Sequence, residues 1–262
     1  MHKWWKTVTL ALLVAGLALA SIPARLSPPL MGVAGAPPAP PRLIALTFDD
    51  GPSPQFTPEI LGLLTRYDAH ATFFVLGSEV AHFPQIVHDI VKQGSAVANH
   101  GYNHVNYFYA GLARTLRDAA QTQDLLHKEK IPTIPYYRPP FGNSNKQLVE
   151  AMAKQGYTLT LWSIDTHDWS EPGAGYITRK VLSDVKPGAI VLMHDGGGNR
   201  SQTVTALGAI LPVLKAEKYR LVTLPQYVAA LGLKKPPKLP LTNQGGPKAK
   251  KGRNPHPAPL SH

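Results

Sequence analysis

Asp49 and Asp50 stand side by side where an apolar run, residues 43–48, gives way to Gly51-Pro52. On a regular strand consecutive side chains point to opposite faces, so strand geometry alone would part these carboxylates. At a strand end, where a turn begins, both reach one place from different directions. Two anions that close repel each other unless a cation or a basic side chain lies between them. Asp-Asp-Gly-Pro also composes an ordinary solvated turn. The pair therefore gains meaning only from partners elsewhere in the chain.

Such partners exist. His100 and His104 lie four residues apart. On one helix face or in a compact loop, two imidazoles suit a divalent transition metal such as zinc. One carboxylate from the first strand end completes a two-His, one-Asp set with open positions, the layout of a catalytic metal site. Arg138 precedes Pro139 and Pro140. A stiff turn of that kind aims the guanidinium fork, which is suited to clamping a carboxylate. Asp165-Thr166-His167-Asp168-Trp169 and Leu192-Met193-His194-Asp195, the latter followed by three glycines, complete the set. A carboxylate paired with an imidazole raises its pKa and fixes its orientation, giving a general acid near neutral pH. Trp169 offers an apolar wall. Taken singly, these clusters also read as solvated histidines, a surface arginine, a core tryptophan and a flexible glycine turn.

Their placement joins them. Short apolar runs predict strands over 43–48, 71–76, 95–98, 135–138, 158–163, 189–194 and 219–223. Amphipathic stretches predict helices over 57–67, 79–93, 111–128, 146–155, 176–183, 203–216 and 225–231, with Pro84 breaking or kinking the second. Strict strand–helix alternation implies a parallel sheet, and seven repeats favour a barrel over an open sheet. Each polar cluster falls at or just after the C-terminal end of a predicted strand. That rim is where parallel α/β barrels build active sites. No Gly-x-Gly-x-x-Gly turn follows the first strand, which weakens a dinucleotide-binding reading.

Bulk properties narrow the class. Of 262 residues 44% are hydrophobic, enough for a substantial core. There is no cysteine, which excludes a disulfide framework and thiolate chemistry. The net charge of +11 sits in the ends: three basic residues precede Arg42, seven lie from Lys234 onward, and the remaining 17 face 16 acidic ones. A nucleic-acid groove is therefore not indicated. Residues 1–22 read as an export signal or N-terminal membrane anchor: Lys3 and Lys6, then an apolar run over 7–20, then Ala18-Leu19-Ala20. The run is shorter than the roughly 20 residues of a membrane span, which favours a cleaved signal. Residues 23–41 read as a Pro/Ala/Gly-rich linker, and 233–262 as a basic, Pro/Lys-rich disordered tail. Such a tail suits contact with an anionic wall polymer or membrane surface, or is merely solvated.

Taken in order, the clusters resemble the polysaccharide deacetylases, the NodB homology domain of carbohydrate esterase family four. The resemblance covers residues 42–232. It rests on Thr47-Phe48-Asp49-Asp50-Gly51, His100-x₃-His104, Arg138-x-Pro140-x-Gly142, Asp165-x₂-Asp168-Trp169 and Leu192-x-His194. It implies a distorted (β/α)₇ barrel in a single catalytic domain. It implies that Asp50, His100 and His104 bind one divalent metal ion, usually zinc, with cobalt or nickel as alternatives. It makes Asp49 the general base with Arg138 as its partner, and His194 the general acid tuned by Asp168. Trp169 and Leu192 would line the acetyl pocket, and the Phe141 N–H would help hold the oxyanion. The implied substrate is an N-acetylglucosamine-containing glycan, peptidoglycan or a chitin-type oligomer, which would lose acetate to leave a free amine. The chain departs from the family pattern at Gly101, where Ser or Thr is usual. That hydroxyl normally supports the ligand loop, so its absence bears on loop rigidity and metal affinity.

Three other readings compete. O-acetyl xylan esterase activity fits the same residues. A non-catalytic wall-glycan-binding protein would not need the full catalytic set. An iron(II) oxygenase also uses two His and one carboxylate, but leaves Arg138, Asp168 and His194 unexplained.

Overall fold

In the computed structural model the described residues are 42–234. The expected signal or anchor at 1–22, the linker at 23–41 and the tail from residue 235 lie outside them. β1 (Leu43–Asp49) is buried along its whole length and pairs in parallel with β2 (Ala71–Val75) on one side and β7 (Ala189–His194) on the other. Ile44, Leu46 and Phe48 point into a core shared with the surrounding helices, where Phe48 stacks on Phe73 at 5.1 Å. Leu43 and Ala45 belong to the opposite core, with Phe74, Ala98 and Ile190. This period-two division puts Thr47 and Asp49 on the second face. A slip of one residue would drive Asp49 into the helix-facing core, where each buried Leu, Ile or Phe contributes about 1.5–3 kcal/mol. The apolar pattern of β1 thus fixes where its terminal carboxylate points.

Beyond β2 the sheet continues through β3 (Ala96–Asn99), β4 (Tyr136–Tyr137) and β5 (Thr158–Leu159); beyond β7 lies β6 (Ile164–Asp165). A short β8 (Arg220–Leu221) pairs with the start of β1. All pairings are parallel, and the sheet curls into a half-barrel with helices around it. The one strand predicted over 158–163 is two. β5 and β6 are the edges of the sheet, and the ladder does not close between them. Thr160 N–H still bonds to Tyr137 and Ser163 N–H to Ile190, so the chain crosses the gap at Leu161 and Trp162. The Thr160 and Leu161 carbonyls turn instead to the guanidinium of Arg138.

The helices are α1 (Phe56–Arg66), α2 (Gly77–His82), α3 (Pro84–Lys92), α4 (Tyr107–Lys128), α5 (Lys146–Lys154), α6 (Ala174–Asp184), α7 (Ser201–Ala216) and α8 (Leu224–Ala230). The helix predicted over 79–93 is broken at Phe83 (φ −132°, ψ 52°), and Pro84 takes a first-turn position where its missing N–H is tolerated. α4 starts before its predicted residue 111, but Gly111 is non-helical (φ 74°, ψ 168°), so the long regular part does begin there. No helix among the described residues is long and apolar enough to cross a membrane.

Candidate active site

The rim begins with a register. Asp49 pairs laterally with His194, and Thr47 with Leu192, on adjacent parallel strands. Alternation puts all four on the same face of the sheet.

Asp49 is held from the side by Arg138. Its Oδ1 accepts a 2.7 Å bond from Arg138 Nη1, which also donates to Thr47 Oγ1 at 2.8 Å. Arg138 is fully buried, with its guanidinium 4.0 Å from the centre of the Phe74 ring. Nε and Nη2 donate to Thr160 O and Leu161 O, both at 3.3 Å. A buried cation needs this complete set of acceptors. One side chain therefore orients Asp49 and satisfies the unladdered carbonyls at the gap between β5 and β6.

Asp50 would face away from Asp49 if β1 continued. It has φ 71° instead, and this left-handed turn swings it back to the rim. Its Oδ1 lies 3.3 Å from His100 Nε2 and 3.3 Å from His104 Nε2. The glycines after Asp195 make room: a Cβ at Gly196 would overlap the Asp50 carbonyl, and one at Gly197 would sit 2.7 Å from its Oδ2. Read from sequence as a flexible turn, this run is the wall against which Asp50 packs. His100 follows β3, and its Nδ1 is bound to Arg138 O at 2.7 Å, which turns Nε2 toward Asp50. His104 has φ 53° and packs on Phe141, with ring centres 4.5 Å apart. Burial disfavours the Asp50 anion, yet the His104, His100 and His194 imidazoles hold its carboxyl well below the usual carboxylate range.

These three residues fit a metal ion. Their ligand atoms all lie within 4.8 Å of one another, and they form the one such group among the described residues. Asp50 Oδ1 is buried with no well-formed hydrogen bond and faces the two imidazole nitrogens at 3.3 Å each, an arrangement that a shared cation would satisfy. Two imidazole nitrogens and a carboxylate oxygen are a donor set for zinc or a similar divalent ion.

Beside Asp49 on β7, His194 is gripped by Asp168. Asp168 Oδ1 is 2.7 Å from His194 Nδ1, and Oδ2 accepts from the His194 backbone N–H at 2.8 Å. Thr203, in the first turn of α7, donates to the same Oδ2 at 2.8 Å. Burial opposes charge on His194, but the Asp168 carboxylate outweighs it and the imidazole pKa is raised to about 9. Burial likewise opposes charge on Asp168, and His194 nevertheless holds its carboxyl below the ordinary value. Asp195, next in the chain, is buried deeper: burial pushes its carboxyl up to about 7 against the Thr57 hydroxyl that bonds it.

The structure gathers Asp49, Asp50, His100, His104, Arg138, Asp168 and His194 on one rim. Phe141 joins them through His104; its turn (φ 61°) is tied to α4 by a bond from Asn143 Nδ2 to Asn106 Oδ1 at 3.0 Å. Leu192 is buried beside Thr47. Trp169 directly follows Asp168 but is 53% exposed, and its neighbouring ring is His167 at 6.0 Å. His167 pairs loosely with Asp165 at 3.9 Å, away from the His194 pair.

Sequence reasoning missed the supporting residues. Asn99, Asp118, Thr203 and Arg200 all bond to the loops that carry the site. The signal for Asp118 lay in α4, whose buried stripe carries Thr115, Asp118 and Thr122 at helical spacing. Polar residues on a buried helix face have partners to hold.

Residues 36–160 match the polysaccharide deacetylase family. A peptidoglycan-N-acetylglucosamine deacetylase of Bacillus cereus is 41% identical over 185 residues, covering 70% of this chain and 86% of that protein. A chitooligosaccharide deacetylase of a Bradyrhizobium strain is 34% identical over 197 residues, covering 71% and 90%. The solved structure of the peptidoglycan deacetylase PdaC from Bacillus subtilis superposes with a TM-score of 0.68 at 33% identity, covering 73% and 92%. The chain belongs to the polysaccharide deacetylase family.

Proposed function

We propose that this protein is a metal-dependent N-deacetylase of a glycan containing N-acetylglucosamine, peptidoglycan or a chitin-type oligomer, with zinc as the metal. The observation that carries the reading is the pairing of two devices on one rim: a three-ligand Asp–His–His group and, beside Asp49 in register, an imidazole bonded to a buried carboxylate. The Bacillus cereus relative is named a peptidoglycan-N-acetylglucosamine deacetylase and the Bradyrhizobium relative a chitooligosaccharide deacetylase, which supports the reading. Asp50, His100 and His104 would hold the ion, which would supply Lewis-acid chemistry at the acetamide carbonyl and at water.

The remaining steps belong to the chain. Asp49, fixed by Arg138, takes a proton from the attacking water as its oxygen bonds to the carbonyl carbon. The Phe141 N–H donates to the oxyanion that forms. His194, protonated at neutral pH and locked at Nδ1 by Asp168, gives a proton to the sugar nitrogen as the C–N bond breaks. Acetate and a free amine leave. Leu192 lines the floor beneath the acetyl group, and Trp169 flanks its exposed side.

Export to the cell envelope is part of the proposal and rests on the basic-then-apolar pattern of residues 1–22. The basic segment beyond residue 234 would then meet an anionic wall polymer or membrane surface. The test is acetate release from a panel of N- and O-acetylated glycans, with and without added zinc or cobalt. Metal-dependent release from N-acetylglucosamine polymers is expected. Release confined to O-acetylated xylan would replace the proposal with an esterase, and binding without release would replace it with a glycan-binding protein.

A further inference from the structure

The three residues between His100 and His104 have no regular structure, yet their backbone is held on both sides. Gly77 and Ser78, opening α2, donate to the carbonyls of Gly101 at 2.9 Å and Tyr102 at 3.1 Å. Asn99 Oδ1 accepts from Gly101 N–H at 2.8 Å. The other two amides turn to Asp118, whose side chain comes from the middle of α4. Its Oδ2 accepts from Tyr102 N–H at 2.7 Å, and its Oδ1 accepts from Asn103 N–H at 3.1 Å and Asn103 Nδ2 at 3.0 Å. Asp118 is buried, and its bonds run to the ligand loop rather than to a cation.

Gly101 completes the contact. Its φ of +85° is one that side-chain-bearing residues rarely adopt, and a Cβ there would stand 2.5 Å from Asp118 Oδ2. The carboxylate occupies the space a side chain would need. We propose that Asp118 is the positioning residue of the His100–His104 loop, and that Gly101 is required because Asp118 sits against it. Asp118 fixes the loop from which His104 leaves in its left-handed conformation. It thereby sets the separation of the two Nε2 atoms that face Asp50. Charge-assisted bonds from a buried carboxylate to successive amides are strong enough to preorganise such a loop before any ion arrives.

This inference rests on the reading of Asp50, His100 and His104 as a metal site. The experiment measures zinc affinity by competition with a chromophoric chelator, for the full chain and for Asp118→Ala, Asp118→Asn, Gly101→Ala and the Gly101→Ala/Asp118→Ala double variant. Melting of each metal-free protein is followed in parallel. Asp118→Ala is expected to weaken zinc binding about 10–100-fold, the usual effect of removing a group that orients metal ligands. Asp118→Asn, which keeps one acceptor, should fall between. Gly101→Ala should weaken binding less in the Asp118→Ala background than alone, because the collision is then gone. In cobalt-loaded protein the Asp118 variants should show altered visible absorption, which a global loss of stability does not produce. If the parent chain binds no zinc, the metal reading itself fails. If the parent binds zinc and a folded Asp118→Asn binds it equally tightly with an unaltered cobalt spectrum, Asp118 is not a positioning residue, while the metal reading stands. Should Asp118→Ala not fold, Asp118→Asn decides by the same criterion.

Discussion

Asp49 and His194 are lateral partners on two adjacent parallel strands, the last residue of β1 beside the last residue of β7. Each is fixed by a different neighbour, Asp49 by Arg138 and His194 by Asp168, both at 2.7 Å. A proton acceptor and a proton donor thus stand side by side, with the Asp50–His100–His104 group next to them. This division of labour leads to separate expectations for each side chain.

Replacing Asp49 by Asn removes the proton acceptor without touching a metal ligand. We expect a loss of about 10²–10⁴-fold in kcat, with zinc still bound at one equivalent. His194→Ala should lose a similar factor. Steady-state acetate release and metal analysis on the same preparations check both. Unchanged turnover in Asp49→Asn would remove it from the mechanism.

The His194–Asp168 pair sets a pH dependence. The imidazole is protonated at neutral pH and loses its proton toward about pH 9. The rate should therefore fall on the alkaline side, at or below that value once a cation sits nearby. Asp168→Asn removes the carboxylate that raises the imidazole and should move this limb to lower pH. The pair also affects stability. The contribution of His194 is complete below its unfolded value of 6.5 and fades as pH rises through about 9. That of Asp168 is complete above 3.8 and fades as pH falls through its lowered folded value. Urea melts across pH should show Asp168→Asn losing most stability between these limits.

Arg138→Met takes the guanidinium from the Asp49 carboxylate and from two interior carbonyls. Breaking a buried pair from one side costs about 3–5 kcal/mol, readable as a lower urea midpoint. Arg138→Lys retains the charge but cannot reach four acceptors with a planar fork, so activity should fall in both variants.

Gly196→Ala places a methyl group on the Asp50 carbonyl. Overpacking of this kind costs about 1–3 kcal/mol. The displacement should also weaken zinc binding, because it moves the turn that carries a ligand. Thermal melting and chelator competition read the two effects separately.

Much of this was legible in the residues themselves. The apolar alternation of β1 and the clusters at strand ends point to one rim of a parallel sheet. The Asp49-Asp50 pair at a strand end predicted convergence, and the left-handed Asp50 is how the chain achieves it. The split of the strand predicted at 158–163 was not legible. Its apolar run looks continuous, and only Arg138, distant in sequence, draws two of its carbonyls out of the ladder. For Asp118 the polar stripe of its helix, with Thr115 and Thr122, marks a face with partners to hold, but not that the partner is the His100–His104 loop. Local pattern places ligands at a rim, whereas the groups that hold them still come from anywhere in the chain.

In the proposed mechanism Asp50, His100 and His104 share one divalent ion, while Asp49 stays off the metal to accept a proton. Anomalous diffraction at the zinc edge from zinc-loaded crystals tests it most directly. A single peak about 2.0–2.2 Å from an Asp50 oxygen and both Nε2 atoms is predicted, with the Asp49–Arg138 bond intact. A peak bound to Asp49 in place of Asp50, or none near the two histidines, would contradict it.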